Sequence, residues 1–327
     1  MSYFSFHLTL GLRHLRLSFS GGTKQGTRIS FFHCAEKEAD RCEQQHKFST
    51  AKNHRTAIRS FSKFVDDRDL SLADITTDLM ASYVQWLRLQ GVSLNTTVCY
   101  VKALRSIYNK VVKEYNTIDA KPFEEIYTGQ VKTEKRSIAD VDISRLRNLQ
   151  LPDGSPLALA RDIFLFCLYA QGMPFVDVAH LQRSLVNNGM IVYERHKTGQ
   201  RIVVRIEPCM QTILDRYATK TTDFLFPILT TNDPKASYQQ YQSQLRAYNR
   251  HLHQLQQLAH LDGKITSYVV RHTWASVAYD SNVDLAVISS ALGHTNPNTT
   301  RIYIRDIDNR RLAEANHKVL ERIHASV

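Results

Sequence analysis

The chain has 327 residues, enough for two domains with large cores, and 43% of them are hydrophobic, which predicts a globular protein. Its 42 Lys and Arg outnumber its 31 Asp and Glu, and this basic excess favours an anionic partner, most simply nucleic acid. No run approaches roughly 18 consecutive apolar residues, so no membrane span is predicted, and five scattered cysteines without a C-x-x-C pair favour a reduced, cytosolic compartment.

Residues 1–28 are predicted to form a basic N-terminal tail or arm. The first 35 residues contain no acid, and apolar residues alternate along parts of them, which suggests strands. Four interpretations stay open for this segment. It is a disordered basic tail, the product of an upstream start codon that is not used, an organelle transit peptide or a small additional DNA-binding arm.

The pattern over 29–118 predicts an all-helical domain of about four helices. One helix is predicted to start at Thr76 or Thr77 and to end at Gly91, because Thr caps helices and Gly stops them. Residues 119–136 include Lys-Pro, Gly and the charged run KTEKR, which is typical of a linker.

A second domain is predicted over 137–327, mainly helical with one small antiparallel sheet. The segment ARDIFLFCLYA is apolar all round and predicts a buried helix. The segment GMIVYERHKTGQRIVVRI predicts a β-hairpin. Ser267 is the predicted N-cap of a later helix, and the helix in VDLAVISSAL is predicted to stop at Gly293.

Four residues in the second domain form a constellation suited to phosphodiester exchange: Lys197, Arg271, His294 and Tyr303. A tyrosine phenol is a nucleophile that can form a phosphotyrosine bond, and its pKa of about 10 requires neighbouring cations or a proton acceptor. An arginine binds two non-bridging phosphate oxygens at once. A lysine can protonate the leaving 5′ oxygen, and no metal or other cofactor is then needed.

The stretches TSYVVRHTWAS, ALGHTNPNTTRIY and HKTGQ resemble the tyrosine recombinase (phage integrase) family, and the resemblance extends over about 29–320. It implies a helical core-binding (SAM-like) domain and an α+β catalytic domain that clamp opposite faces of duplex DNA. By this resemblance Tyr303 is the nucleophile, Arg271 holds the scissile phosphate, Lys197 is the hairpin lysine and His294 donates to a phosphate oxygen.

Two positions depart from the family pattern. Tyr268 stands three residues before Arg271, where the family has a histidine, and one helical turn still places the two on one face. The segment QGMPFVD resembles a Bacteroidetes-type branch with the form R-G-M-x-F-V-D, whose first catalytic arginine falls at Gln171. Losing one such electrostatic stabiliser costs about 3–4 kcal/mol. The sequence therefore predicts a slow enzyme, a weak amide donor at Gln171 or a substitute cation, with three candidates: Arg161, Arg183 and Arg195.

The resemblance also implies double-stranded DNA as the partner. Basic residues on two predicted helices of the first domain are expected to contact phosphates and to position the DNA, with a solvated face as the alternative. They are Lys52, Arg55, Arg59, Lys102 and Arg105. Three histidines of a polar helix lack the partners of a metal site and predict none: His251, His253 and His260.

The predicted function is site-specific DNA recombination or integration, as in mobile elements, through a 3′-phosphotyrosyl intermediate. A homotetramer on two DNA sites is expected because two duplexes require four cleavages, with accessory DNA-bending proteins as additional partners. The expected location is the bacterial cytoplasm in association with the nucleoid. Two alternatives stay open: a catalytically weakened DNA-binding accessory protein and a type IB topoisomerase-like relaxer.

Overall fold

The structure is a computed structural model, and it describes residues 29–129, 137–218, 222–294, 296, 299–300, 316–317 and 320–323. The N-terminal tail 1–28 and Tyr303 lie outside these described residues. The chain divides into two compact units, Met1–Val131 and Lys132–Val327. In the described part of the chain, no helix combines the length and the apolar character that crossing a membrane requires.

The first unit is helical in its described part, with four α-helices: α1 (Phe31–Gln44), α2 (Phe48–Phe64), α3 (Thr77–Leu89) and α4 (Leu94–Tyr115). The side chain of Thr76 caps α3 by accepting a hydrogen bond from the Leu79 N–H at 3.2 Å. Gly91 follows the end of α3 with φ +72°, a conformation that glycine adopts without strain. The predicted start and stop of this helix are therefore confirmed.

Aromatic rings fill the core of the first unit. Phe61 of α2 is fully buried and lies edge-on to Tyr83 of α3, with ring centroids 5.0 Å apart. Phe31 of α1 makes a similar contact with Phe61 at 6.1 Å. Phe123, from the segment predicted as a linker, is also buried, and its ring packs against Tyr108 of α4. The residues around Phe123 therefore belong to the packed part of the first unit.

A buried polar cluster without a sequence motif joins α1, α2 and α4. Cys42 Sγ lies 3.5 Å from Glu38 Oε1 and 3.9 Å from His54 Nδ1. The ammonium of Lys110 bonds to the same Glu38 oxygen, so the carboxylate charge is neutralised within the unit. Burial, together with the charge of Lys110, lowers the pKa of His54. The cluster is thus a neutral imidazole and a thiol beside an ion pair.

The described part of the second unit is mainly helical. Its α-helices are α5 (Asp140–Asn148), α6 (Pro156–Tyr169), α7 (Phe175–Ala179), α8 (Pro208–Arg216), α9 (Pro234–Leu258), α10 (Val269–Asp280) and α11 (Leu285–Ala291). Three antiparallel strands in the order β1-β2-β3 form the sheet, namely β1 (Val186–Asn187), β2 (Met190–Glu194) and β3 (Arg201–Arg205). Strands β2 and β3 are the predicted hairpin, paired with Val192 opposite Val203.

Helix α6 lies at the centre of the second core, as its continuous apolar sequence predicts. Phe164 and Phe166 are fully buried, and the Phe166 ring packs against Phe226 at 4.9 Å. Helices α9 and α10 both pack against α6. Helix α10 begins one residue later than predicted, because Tyr268, not Ser267, is its N-cap. The rigid α6 therefore supports the end of the unit where α10 begins.

Replacing Phe61 with Ala should destabilise the first unit by about 3–5 kcal/mol, because a fully buried ring leaves a cavity. The chain has two tryptophans, Trp86 in α3 and Trp274 in α10. In a Trp274→Phe background, the fluorescence of Trp86 during denaturant unfolding reports on the first unit.

The matched control is Leu89→Ala, at a side chain that is 77% exposed, which should change stability by no more than about 0.5 kcal/mol. Equal losses from the two substitutions would contradict the packing described for Phe61.

Candidate active site

Arg271 lies in the first turn of α10 and is 3% exposed. Its Nη1 donates to the carbonyl of Gly172 at 3.2 Å, and its Nη2 donates to the carbonyl of Leu292 and to His294 Nε2. A buried guanidinium is stable only when its N–H groups and charge are compensated. Arg271 therefore ties together the end of α6, the start of α10 and the end of α11.

The turn after α6 brings Gln171 and Gly172 to this guanidinium. Both residues have positive φ angles, 59° and 68°. A Cβ at Gly172 would lie 3.1 Å from the Arg271 Cα, so the close approach of the two segments requires glycine. Gln171 therefore directly precedes Gly172, whose carbonyl accepts a hydrogen bond from Arg271. By the family resemblance, this is the position of the first catalytic arginine.

His294 follows α11 and is held at both ring nitrogens. Nε2 lies 3.2 Å from Arg271 Nη2, and Nδ1 lies 2.9 Å from the hydroxyl of Thr300, which is fully buried. Because a guanidinium can only donate, Nε2 must accept, and the ring proton must lie on Nδ1 and point to Thr300. The arrangement assigns a neutral imidazole with a defined tautomer.

The electrostatics of the pocket agree with a neutral ring. Burial and then the charges of Arg271, Arg195 and Lys197 lower the pKa of His294 from 6.5 to about 4. Three cations therefore act on one imidazole, two from the hairpin, Arg195 and Lys197, and one from α10, Arg271. Such a concentration of positive charge is suited to an anionic ligand.

Arg195, one of the three arginines predicted as a substitute cation, also lies in this pocket. It continues the inward face of β2, where Ile191 and Tyr193 are also buried, because side chains alternate along a strand. Its Nη1 donates to the carbonyls of Leu292 at 2.9 Å and Gly293 at 3.0 Å. The period-two burial pattern of the strand could have identified it.

Asp177 of α7 supplies the nearby negative charge. Its Oδ2 lies 3.8 Å from Arg195 Nε, and its Oδ1 accepts a hydrogen bond from the His196 N–H at 2.9 Å. Burial raises the pKa of Asp177, while the His196 N–H and the Arg195 charge oppose that shift. The carboxylate thereby fixes the start of the hairpin turn that bears Lys197.

Lys197 lies on the turn between β2 and β3 and is exposed. The backbone N–H of Gly199 closes the turn on the Arg195 carbonyl at 2.8 Å. The charge of Lys197 reaches His294, as the lowered pKa of that histidine shows. The structure therefore brings Lys197, Arg271 and His294 to one region, while Tyr303 lies outside the described residues.

Tyr268 occupies the N-cap position of α10, and its side chain is 55% exposed. Its ring lies edge-on to that of His272, with centroids 5.1 Å apart. The other two candidate arginines hold other parts of the unit. Arg161 bonds the Leu149 carbonyl and the carboxylate next to it, and Arg183 bonds the carbonyls of residues 217 and 222.

The predicted DNA-contacting residues of the first unit lie on α2 and α4. Four of them are exposed: Lys52, Arg59, Lys102 and Arg105. Arg55 instead forms ion pairs with Asp40 at 2.7 Å and Glu43 at 2.6 Å. A phosphate at Arg55 would have to compete with two carboxylates, whereas the other four present their charges to solvent.

Two family profiles match the chain. The phage integrase SAM-like domain matches residues 30–131, and the phage integrase family matches residues 142–310, more than half of the chain. The four helices of the first unit lie within the range of the first profile, and the pocket residues Lys197, Arg271 and His294 lie within the range of the second. The chain belongs to the phage integrase family of tyrosine recombinases.

Individual relatives agree with this assignment. The chain is 27% identical over 286 residues to tyrosine recombinase XerD of Bradyrhizobium diazoefficiens, covering 80% of this chain and 87% of that protein. A lambda integrase dimer bound to a COC′ core site has the same fold, with TM-score 0.63, 16% identity and coverage of 86% and 97%. A lambda integrase tetramer bound to a Holliday junction gives TM-score 0.61, 15% identity and coverage of 86% and 80%.

Replacing Gly293 with Ala should disturb the pocket. Its φ is +63°, and a Cβ there would lie 2.6 Å from Arg195 Cδ and 2.9 Å from Ile202 Cδ1. Gly189 is the matched control, because it has φ +71° and its Cβ would meet nothing within 4 Å. We expect about 1–2 kcal/mol of strain from Gly189→Ala and about 1–3 kcal/mol more from Gly293→Ala. Denaturant unfolding followed by Trp274 fluorescence in a Trp86→Phe background measures both changes in the free energy of unfolding. Equal losses of stability in Gly293→Ala and Gly189→Ala would contradict the close packing at Gly293.

The pKa of His294 predicts a pH dependence of stability. Because the folded state lowers this pKa from 6.5 to about 4, the unfolded chain binds the proton more readily. The folded state therefore has its full stability above pH 6.5, and its free energy of unfolding decreases as the pH falls from 6.5 towards 4. Unfolding free energies measured across this range should fall more steeply for the wild type than for His294→Gln. His253→Gln, at an exposed position of α9, is the control, and its unfolding free energy should change with pH as that of the wild type does. If the unfolding free energy of His294→Gln changes with pH as steeply as that of the wild type, the prediction is wrong.

Proposed function

We propose that the chain is a site-specific DNA recombinase in which Tyr303 attacks the scissile phosphate, as its membership of a family of DNA strand-exchange enzymes supports. The observation that supports this most directly is the convergence of Arg271, His294 and Lys197, from three distant segments, on one cationic pocket. A developing phosphorane carries negative charge, and pre-placed cations stabilise it without a metal ion. The proposed division is a helical domain over 29–118, a linker over 119–136 whose first part packs on that domain through Phe123, and a catalytic domain over 137–327.

In the proposed first step, the Tyr303 oxygen forms a bond to phosphorus and the bond to the 5′ oxygen breaks. Arg271 donates to the non-bridging oxygens and in doing so releases His294 Nε2. That nitrogen takes the phenol proton, because the tautomer held by Thr300 leaves its lone pair available. The resulting imidazolium donates to a phosphate oxygen, and the phosphate charge raises the pKa of the ring. Lys197 protonates the leaving 5′ oxygen.

In the proposed second step, the 5′ hydroxyl of the partner strand attacks the phosphotyrosine, and the same proton transfers run in reverse. Two rounds exchange both strands through a Holliday junction. We propose a homotetramer on two DNA sites, in line with the lambda integrase tetramer bound to a Holliday junction that shares this fold. We also propose accessory DNA-bending partners and action at the nucleoid of a bacterial cytoplasm.

Two residues set the expected behaviour of this member. We assign the chain to the Bacteroidetes-type branch on the segment QGMPFVD, and the glutamine in it deprives the pocket of one cation. Tyr268 is exposed at the N-cap of α10 and is proposed to reach the phosphate backbone through its hydroxyl. The names of the similar proteins favour recombination over the two alternatives, DNA binding without cleavage and relaxation of supercoils.

Covalent capture tests the nucleophile without knowledge of the target sequence. The protein is incubated with a library of nicked duplexes of random core sequence, which after cleavage release the short fragment that bears the new 5′ hydroxyl. Denaturing extraction retains only DNA that is bound covalently. We expect the wild type to retain a defined set of sequences and Tyr303→Phe to retain none, since the phenol oxygen is lost.

Tyr127→Phe is the control, because it also removes a tyrosine hydroxyl, at an exposed position to which no role is assigned, and it should still form the covalent complex. A covalent complex that persists in Tyr303→Phe would reject the assigned nucleophile. Failure of the wild type to capture any duplex would favour the accessory, DNA-binding alternative. Relaxation of a plasmid without joining of two captured duplexes would favour the topoisomerase-like alternative.

A further inference from the structure

We propose that Arg195 is the missing phosphate-binding arginine of this enzyme: its guanidinium binds a non-bridging oxygen of the scissile phosphate beside Arg271. The inference rests on the proposed function and deepens it, because it names the residue that compensates for Gln171. The two guanidinium groups come from unrelated elements, the end of β2 and the first turn of α10.

Arg195 and Arg271 share one hydrogen-bond acceptor. Both donate to the carbonyl oxygen of Leu292, Arg195 through Nη1 and Arg271 through Nη2. A carbonyl that accepts two guanidinium groups places them side by side and facing one point. A phosphate oxygen is charged and is therefore a stronger acceptor than a carbonyl, and it can bind the N–H groups of Arg195 that do not point to Leu292. The pair therefore has the geometry of a two-arginine phosphate clamp.

The guanidinium of Arg195 also has N–H groups that are available to a ligand. It is 7% exposed, and its Nε has no hydrogen-bond partner in the structure. Its Nη2 makes no hydrogen bond to any residue that the structure describes, so only Nη1 of the three nitrogens is engaged in such bonds. A buried donor left unsatisfied costs about 1–3 kcal/mol, which favours a ligand that accepts from it. The ion pair with Asp177, at 3.8 Å, is too long to be a hydrogen bond.

The charge balance points to the same ligand. Arg195, Arg271 and Lys197 all lower the pKa of His294, while Asp177 is the carboxylate that faces Arg195 in the described part of the pocket. Asp177 is also buried, and its Oδ2 lies 3.8 Å from Arg195 Nε. A phosphodiester anion would offset the remaining positive charge, as an arginine-rich pocket requires.

The other candidates do not fit this role. Arg161 is bound to Asp162 and the Leu149 carbonyl, and Arg183 is bound to carbonyls of another part of the unit. Gln171 lies next to the pocket, since the following carbonyl accepts from Arg271, but its amide is neutral. Arg195 is the candidate arginine that shares an acceptor with Arg271.

The test compares a phosphodiester with a methylphosphonate at the cleavage position of one duplex captured by the wild type. The methyl group replaces a non-bridging oxygen and removes its negative charge, so an arginine that stabilises that charge becomes dispensable. We expect Arg195→Ala to form the covalent complex about 10²–10³-fold more slowly on the phosphodiester. On the methylphosphonate, its rate should be within about tenfold of the wild-type rate, since the stabilised charge is absent.

Arg183→Ala is the matched control, because Arg183 likewise holds two backbone carbonyls of the second unit but lies outside the pocket. It should cleave both substrates at rates close to wild type. A loss in Arg195→Ala that is equal on the two substrates would overturn the proposal, since it would mean that Arg195 only supports the turn after α11. Should Arg195→Ala fail to fold, Arg195→Gln, which keeps a polar side chain but removes the charge, decides the same comparison.

A second variant tests the compensation directly. Adding Gln171→Arg to Arg195→Ala should restore cleavage of the phosphodiester by about tenfold or more, because a guanidinium returns to the same phosphate. If Gln171→Arg does not increase the cleavage rate of Arg195→Ala, the proposal that Arg195 compensates for Gln171 is contradicted. Failure of the wild type itself to form a covalent complex with any duplex would instead reject the proposed function, a result that is separate from every comparison with Arg195 variants.

Discussion

The carbonyl oxygen of Leu292 is the point on which the rest of the active site depends. It accepts hydrogen bonds from Arg271 and from Arg195, and thereby links α10, the hairpin and the end of α11. Gly293 makes this possible, since its positive φ turns the chain and its missing side chain leaves room for Arg195. His294 follows directly, and its position is a consequence of that turn.

The free protein holds its cations on internal acceptors. Arg271 bonds two backbone carbonyls and His294, and Arg195 bonds two carbonyls and faces Asp177. These acceptors keep like charges together in a buried place, which would otherwise be unfavourable. A phosphate that enters the pocket meets donors already in position, so little reorganisation is needed at the moment of reaction.

Much of the fold followed from the sequence, because helix periods and end signals are local. Thr76 and Gly91 bound α3 as predicted, and the apolar run of α6 is indeed buried. The start of α10 was placed one residue too early because Ser is a common N-cap, whereas in the structure Tyr268 is the N-cap and the N–H of Ser267 donates to Asn249 of α9. The packing of Phe123 was missed, since a single aromatic in a Lys-Pro-rich segment has no period to reveal it.

The sequence by itself determined the chemistry: the residue types, their order and the spacing from His294 to Tyr303 indicate phosphodiester exchange, and the helical pattern gives two domains. Only the tertiary structure decided which cation accompanies Arg271 and which tautomer His294 adopts. Arg195 and Leu292 are 97 residues apart, and His294 and Arg271 are 23 apart. No local pattern encodes such contacts, because they arise from the packing of separate elements around α6.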